Sequence, residues 1–166
     1  MKAYMALSCK AGAYNSVLDE LIKMDLSKKD VFLLFGPIDI LIQFRELKDL
    51  PDFVNKWFNP IRMLTPEEPM IDKTQTFIVI SEGEAFEEEP YAFLFIDVQP
   101  RNLEKVQKEL QKIPEVLSAD TVFGPYDVIA AVRVGSKIEL QKVIARIQKE
   151  VPYIDDTTTA IVSPLY

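Results

Sequence analysis

The sequence predicts an α+β chain: two copies of one domain, each running strand, helix, strand, strand, helix, strand, fused in tandem within 166 residues. Three observations predict it. Segment FGPIDILIQF at 35–44 matches FGPYDVIAAV at 123–132 at an offset of 88 residues, sharing Phe, Gly, Pro and Asp, and such self-similarity is the mark of a repeat. Strand-like and helix-like apolar periodicities then follow one another in the same order in both halves. Several strands are also apolar on both faces, so each copy needs a second layer over its sheet.

The second copy shows each element most clearly. Residues 91–98, YAFLFIDV, form its first strand, with Tyr91, Phe93 and Phe95 on one side and Leu94, Ile96 and Val98 on the other. The next segment, RNLEKVQKELQKI, places Leu103, Val106, Leu110 and Ile113 on one helical face, and Glu104 with Lys108 forms an i,i+4 pair on the wet face. Pro114 stops that helix. The β-rich runs Val116 to Phe123 and Tyr126 to Val134 are joined by Gly124 and Pro125, as adjacent strands in a tight connection would be. Ser136 followed by Glu139 is a capping box, and it opens a helix whose apolar face is Leu140, Val143, Ile144 and Ile147. The closing strand is Thr157 to Ser163.

In the first copy YMALSCKA, from Tyr4, stands for the first strand, and TQTFIVI at 74–80 matches TTTAIVS at 157–163 at an offset of 83. Val17, Leu18, Leu21 and Ile22 line its first helix and Leu50, Phe53, Val54 and Trp57 its second. Five extra residues must therefore precede its last strand, and the Pro-interrupted stretch 59–72 is the expected place. Between the copies SEGEAFEEEP carries glutamates at 82, 84, 87, 88 and 89, a charge run expected to be a solvated connector. The expected boundaries are 1–81 for the first domain, 82–90 for the acidic linker and 91–166 for the second domain.

Composition narrows the function. With 19 basic against 26 acidic residues the net charge is −7, the wrong sign for a chain that neutralises phosphates, so direct nucleic-acid binding is not expected. The chain has no histidine, which removes the usual general base and the commonest metal ligand. One cysteine, Cys9, allows no disulfide within the chain. The N-terminal segment is too short and too polar for a signal peptide or membrane span, so a cytoplasmic location without membrane association is expected. No cofactor is expected. Asp155 and Asp156 are adjacent carboxylates with no third ligand near them in sequence, which fits a solvated turn better than a metal site, and no metal is expected.

The segment 91–163 resembles the effector-binding domain of Lrp/AsnC regulators, also called the RAM domain. The recurring elements are a first strand leading to a helix, a K-I-P-x-V phrase at Lys112 to Val116, a G-x-Y-D turn at Gly124 to Asp127 and a Thr-rich last strand at Thr157 to Thr159. The first copy keeps Gly36 and Asp39 but has Ile38 in place of the tyrosine, and it lacks the K-I-P phrase. The resemblance implies ferredoxin-like βαββαβ domains of the dimeric α/β-barrel type, packed sheet to sheet. It implies a free amino acid or similar small effector, and homo-oligomers in which four chains would make an eight-domain ring. Hetero-assembly with Lrp/AsnC-type regulators follows as well, because the first strand begins at about residue 3 and leaves no room in this chain for a helix-turn-helix.

For the second copy the resemblance points to Gly124, Tyr126, Asp127, Thr157 and Thr159 as effector-binding residues, and for the first to Gly36, Asp39, Thr74 and Thr76. The physical case is that a glycine turn lets backbone N–H groups approach a carboxylate while Asp127 meets an ammonium. The alternative stands beside it: Gly124 and Pro125 make the turn, Asp127 accepts neighbouring backbone hydrogen bonds, and the threonines are ordinary strand formers. No catalytic residue is expected. A ligand-less structural oligomer and an enzyme on the dimeric α/β-barrel scaffold are the other readings, the last disfavoured by the absence of histidine.

Overall fold

The computed structural model describes residues 1–64 and 69–164. These divide into two compact units: Met1–Ile78 with the chain's end from Ser163, and Val79–Val162. Each is a mixed α+β unit built on an antiparallel four-stranded arrangement.

In the first unit β1 (Ala3–Cys9) leads to α1 (Tyr14–Lys23), then β2 (Val31–Phe35) and β3 (Ile40–Phe44). A helix in three parts follows, α2 (Leu50–Phe53), a π-helical stretch (Val54–Phe58) and α3 (Asn59–Arg62), before β4 (Ile71–Ser81). The strands lie in the order β4, β1, β3, β2, all neighbours antiparallel. In the second unit β5 (Ala92–Val98), α4 (Leu103–Gln111), β6 (Val116–Phe123), β7 (Val128–Val132), α5 (Lys137–Glu150) and β8 (Ile154–Ser163) repeat that sequence. Their order, β8, β5, β7, β6, repeats the first. Both are the ferredoxin-like arrangement, in which the outer strands flank a central antiparallel pair.

The helices cover one face of each sheet. In the second unit Leu94 and Ile96 pack with Val106 and Leu110 of α4 and with Leu140, Val143 and Ile147 of α5. The first unit does the same with Met5, Leu7, Val17, Leu21, Phe53 and Ile61. The expected helical stripes are therefore the core, except at Leu50, which is exposed at the start of its helix. On the opposite faces Tyr4 and Phe77, and Phe93 and Phe95, are also buried, in keeping with strands that are apolar on both sides. None of the described helices is long and apolar enough to cross a membrane.

The five extra residues of the first copy are spread over three places. The correspondence is 88 residues at Gly36 and Gly124, and 87 at the helix caps, where Asp49 accepts from Asp52 N and Ser136 from Glu139 N. It is 86 at Ile61 and Ile147, both fully buried. The step between the last two is the π-helical stretch: it spaces Phe53 and Ile61 eight residues apart and keeps both on the core, where the regular α5 spaces Leu140 and Ile147 by seven. The remaining three precede β4, in a segment of which 65–68 lie outside the described residues.

The five glutamates of the acidic connector are exposed, as expected, while the backbone at its start is docked. Ser81 N donates to Thr121 Oγ1 at 3.1 Å, Gly83 N to Asp120 Oδ1 at 2.7 Å and Glu84 N to Gln111 Oε1 at 2.9 Å. The buried Gln107 amide donates to both Ser81 O and Ala119 O. A Cβ on Gly83 would run into the Ala119 backbone, so only glycine permits this approach. Buried Asp120 and Thr121 on β6 satisfy donors of the arriving chain, which is why the unit boundary falls at Val79 rather than after residue 81.

Candidate functional site

The turn between β6 and β7 is fixed by backbone bonds before any ligand is considered. Val122 N donates to Asp127 O at 2.9 Å, and Asp127 N donates to Ile96 O at 3.0 Å. The Asp127 carboxylate accepts from Val98 N at 2.9 Å. The first copy repeats all three: Leu34 N to Asp39 O at 2.8 Å, Asp39 N to Leu7 O at 3.0 Å, and Cys9 N to Asp39 Oδ2 at 2.7 Å. The shared aspartate therefore ties the turn to the end of the first strand, and one carboxylate oxygen is already engaged.

Beside that bond both copies carry the same bulge. Ser8 pairs with Lys73 and Cys9 with Ile71, leaving Asp72 over; Asp97 pairs with Asp156 and Val98 with Ile154, leaving Asp155 over. An extra residue on one strand breaks the ladder at Cys9 and Val98, and the aspartate carboxylate takes the N–H that results. Asp155 and Asp156, expected in a turn, stand instead on β8 next to Asp97. Burial, and then the carboxylates of Asp127, Asp156 and Asp155, push the Asp97 carboxyl above the ordinary aspartate range. Aligning the two copies strand by strand shows the change responsible, since Ser8 and Lys73 occupy the places of Asp97 and Asp156.

Tyr126 is half-buried with its ring 5.5 Å from that of Phe95, tilted by 47°. Ile38 takes its place in the first copy and is buried. Gly36 lies at φ 152°, where glycine is favoured, whereas Gly124 is not among the described residues of positive φ. The threonines lie elsewhere. Thr157 pairs with Ile96 and Thr159 with Leu94, and paired residues point to one face, here the face of the helical core. Thr157 Oγ1 accepts from Gln148 of α5 at 3.3 Å. Thr74 and Thr76 pair with Leu7 and Met5 and share the helical face of the first unit. Phe95, Tyr126's ring partner, alternates with Leu94 and Ile96 and so points the other way. The turn residues thus stand together, while the threonines are on the far side of the sheet.

Burial, with Asp39 nearby, pushes the Cys9 thiol up to about 11, so it is not a ready nucleophile. Among the described residues no group of three or more His, Cys, Asp or Glu is arranged to hold a metal. Two concavities of the second unit were not foreseen. One, about 480 Å³, runs along α4 at Leu103, Gln107 and Gln111 beside Ile80–Glu82. The other, about 190 Å³, lies at Glu115, Lys142 and Arg146, where Glu115 Oε2 is 3.9 Å from Arg146 Nη1. Neither is lined by a residue of the G-P-Y-D turn.

Among solved structures, a siroheme decarboxylase, NirDL, in complex with an iron–uroporphyrin III analogue is 9% identical over 99% of this chain and 71% of its own, with a TM-score of 0.68. A major regulator of staphylococcal pathogenesis is 13% identical over the whole of both chains, with a TM-score of 0.52. At these identities the likeness is one of fold. A hypothetical protein from Pyrococcus horikoshii is 27% identical over 47% of this chain and 93% of its own, with a TM-score of 0.42. No curated protein matches the chain. Residues 91–164 match the model of the Lrp/AsnC ligand binding domain, which covers the second copy from its first strand through its last. That copy is therefore similar to the Lrp/AsnC ligand binding domain.

Proposed function

We propose that this chain is an effector-binding regulatory protein that takes a free amino acid or a similar small molecule and acts through assembly, with copies of itself and with Lrp/AsnC-type regulators. The single observation that carries the proposal is the family match over residues 91–164. The effector site is assigned to the second copy, at Gly124, Tyr126 and Asp127, because that copy keeps the family turn and Ile38 replaces the tyrosine in the first. Asp127 retains one carboxylate oxygen beyond its bond to Val98 N, and Tyr126 supplies a half-buried ring. The second face of each sheet, with Phe93 and Phe95 in one and Tyr4 and Phe77 in the other, is the face that packs against another sheet. The chain acts by binding rather than by catalysis, for it has no histidine, its one thiol is held protonated, and its likeness to a decarboxylase is of fold alone.

A thermal-shift screen of the twenty amino acids at millimolar concentration tests this. A ligand selective for the native state at a hundred times its dissociation constant adds about 2.7 kcal/mol and raises the melting temperature. A rise for at least one amino acid, lost in Tyr126→Ala, is expected. No rise for any of the twenty removes the sensing role.

A further inference from the structure

The second unit holds an unsatisfied carboxylate at a place that the effector site assigned above does not use. Glu115 stands between α4 and β6, at the open position of the K-I-P-x-V phrase, and its backbone is fixed because Arg133 N donates to Glu115 O at 2.8 Å. One of its carboxylate oxygens, Oε2, is buried and has no hydrogen-bond partner among the described residues. Arg146 Nη1 is 3.9 Å away, beyond hydrogen-bonding distance, while Nε of the same guanidinium is held 3.0 Å from Glu150 Oε2. A buried acceptor without a donor costs free energy, so a donor brought from outside gains more there than at a solvated carboxylate.

That oxygen has company. Glu115 lines a concavity of about 190 Å³ with Val134, Glu139, Lys142, Val143 and Arg146, all within the second unit. Lys142 and Arg146 are four residues apart and so share one face of α5; Lys142 is exposed and enters no ion pair among the described residues. Glu139 is committed elsewhere, since its Oε2 accepts from Gly135 N at 2.7 Å. Val134 and the buried Val143 add apolar wall. The concavity therefore offers one uncompensated acceptor and one uncompensated cation. Its volume is below the roughly 300 Å³ at which ordinary ligand pockets begin, so it suits a molecule of few heavy atoms.

The fold does not require this set. At the offsets of 88 and 86 the first copy has Ser27 and Pro60 in the places of Glu115 and Arg146, whereas the turn aspartates that serve the main chain are present in both copies. We propose that the concavity on α5 binds a small zwitterion, a short amino acid whose ammonium donates to Glu115 Oε2 and whose carboxylate meets Lys142. This site shares no residue with the G-P-Y-D turn and does not depend on the effector site there.

Isothermal titration calorimetry of the intact chain with glycine, β-alanine, acetate and methylammonium tests it. Glycine or β-alanine should bind at least tenfold more tightly than acetate or methylammonium, each of which carries only one of the two charges. Glu115→Gln and Lys142→Met should each weaken zwitterion binding about tenfold or more, as loss of a hydrogen bond to a charged group does. Glu115→Gln keeps the side chain's shape and Lys142 is exposed, so unchanged melting of both variants without probe separates lost binding from lost fold. No heat from either zwitterion at millimolar concentration overturns the proposal, as does equal affinity for a zwitterion and one of the half-ligands. Binding that survives either substitution but is lost in Tyr126→Ala also overturns it, and leaves the turn as the effector site.

Discussion

The first and second copies share their backbone devices and differ in nearly everything their side chains do around them. Asp39 and Asp127 hold Cys9 N and Val98 N beside equivalent bulges. Yet Ile38 replaces Tyr126, Ser8 and Lys73 replace Asp97 and Asp156, and a π-helical stretch replaces regular helix. A bond that serves the main chain depends on position alone, so it is retained while the surface chemistry beside it diverges. Asp127 is thus first a structural residue of the fold, and any effector contact it makes is added to that role.

Substitutions can break or sharpen this comparison. The largest effect is expected in the segment between the copies: Gly83→Ala drives a methyl into the Ala119 backbone and should cost about 2–3 kcal/mol in urea unfolding, as overpacking does. A neutral result would mean that the connector docks only weakly on β6. Next, Asp127→Ala leaves Val98 N without its acceptor and should cost about 2 kcal/mol; Asp39→Ala should cost about 1 kcal/mol, because Cys9 is less buried than Val98. Equal costs would show that burial does not separate the copies at this bond.

A smaller and opposite change is expected at Arg101, which lies at φ 75° where the first copy has Gly12 at φ 78°. Arg101→Gly should stabilise by about 1 kcal/mol and Gly12→Arg should destabilise by a similar amount, both readable as shifts in melting temperature. The smallest effect is at Asp97, which faces Asp156 across the ladder. Asp97→Ser, which installs the first copy's residue, should stabilise by about 0.5 kcal/mol at neutral pH by removing a like-charge cross-strand pair. The pH dependence follows from the raised carboxyl. The charged form is disfavoured in the folded state, so the native chain carries the penalty above the folded pKa and loses it as the pH falls. The advantage of Asp97→Ser should therefore shrink through that range and be gone below an aspartate's ordinary value of about 4.

Local features were legible in the residues themselves. The capping box at Ser136 is in place, with Glu139 N donating to Ser136 Oγ and Gly135 N to Glu139 Oε2, and the stripe Val106, Leu110 and Ile113 faces the core. The segment Val116–Phe123 is a strand over the expected residues. The candidate site was legible only in part. Gly124, Tyr126 and Asp127 are contiguous in sequence and so remain together, but Thr157 and Thr159 were grouped with them across a sheet that separates the two sets.

What the sequence determined by itself is the repeat, the order of elements in each copy, the helical faces and the need for a covering layer over strands apolar on both sides. The repeat is read by matching whole segments along the chain, and the others depend on residues close together in sequence, through periodicity, caps and turns. Only the tertiary structure decided that Asp97 faces Asp156, that the threonines look toward the helices, that Gly83 lies against Ala119 and that the aspartate of the turn reaches the end of the first strand. Those facts belong to strand register and bulge position, and a one-residue shift in pairing would reverse every face, so no local pattern encodes them.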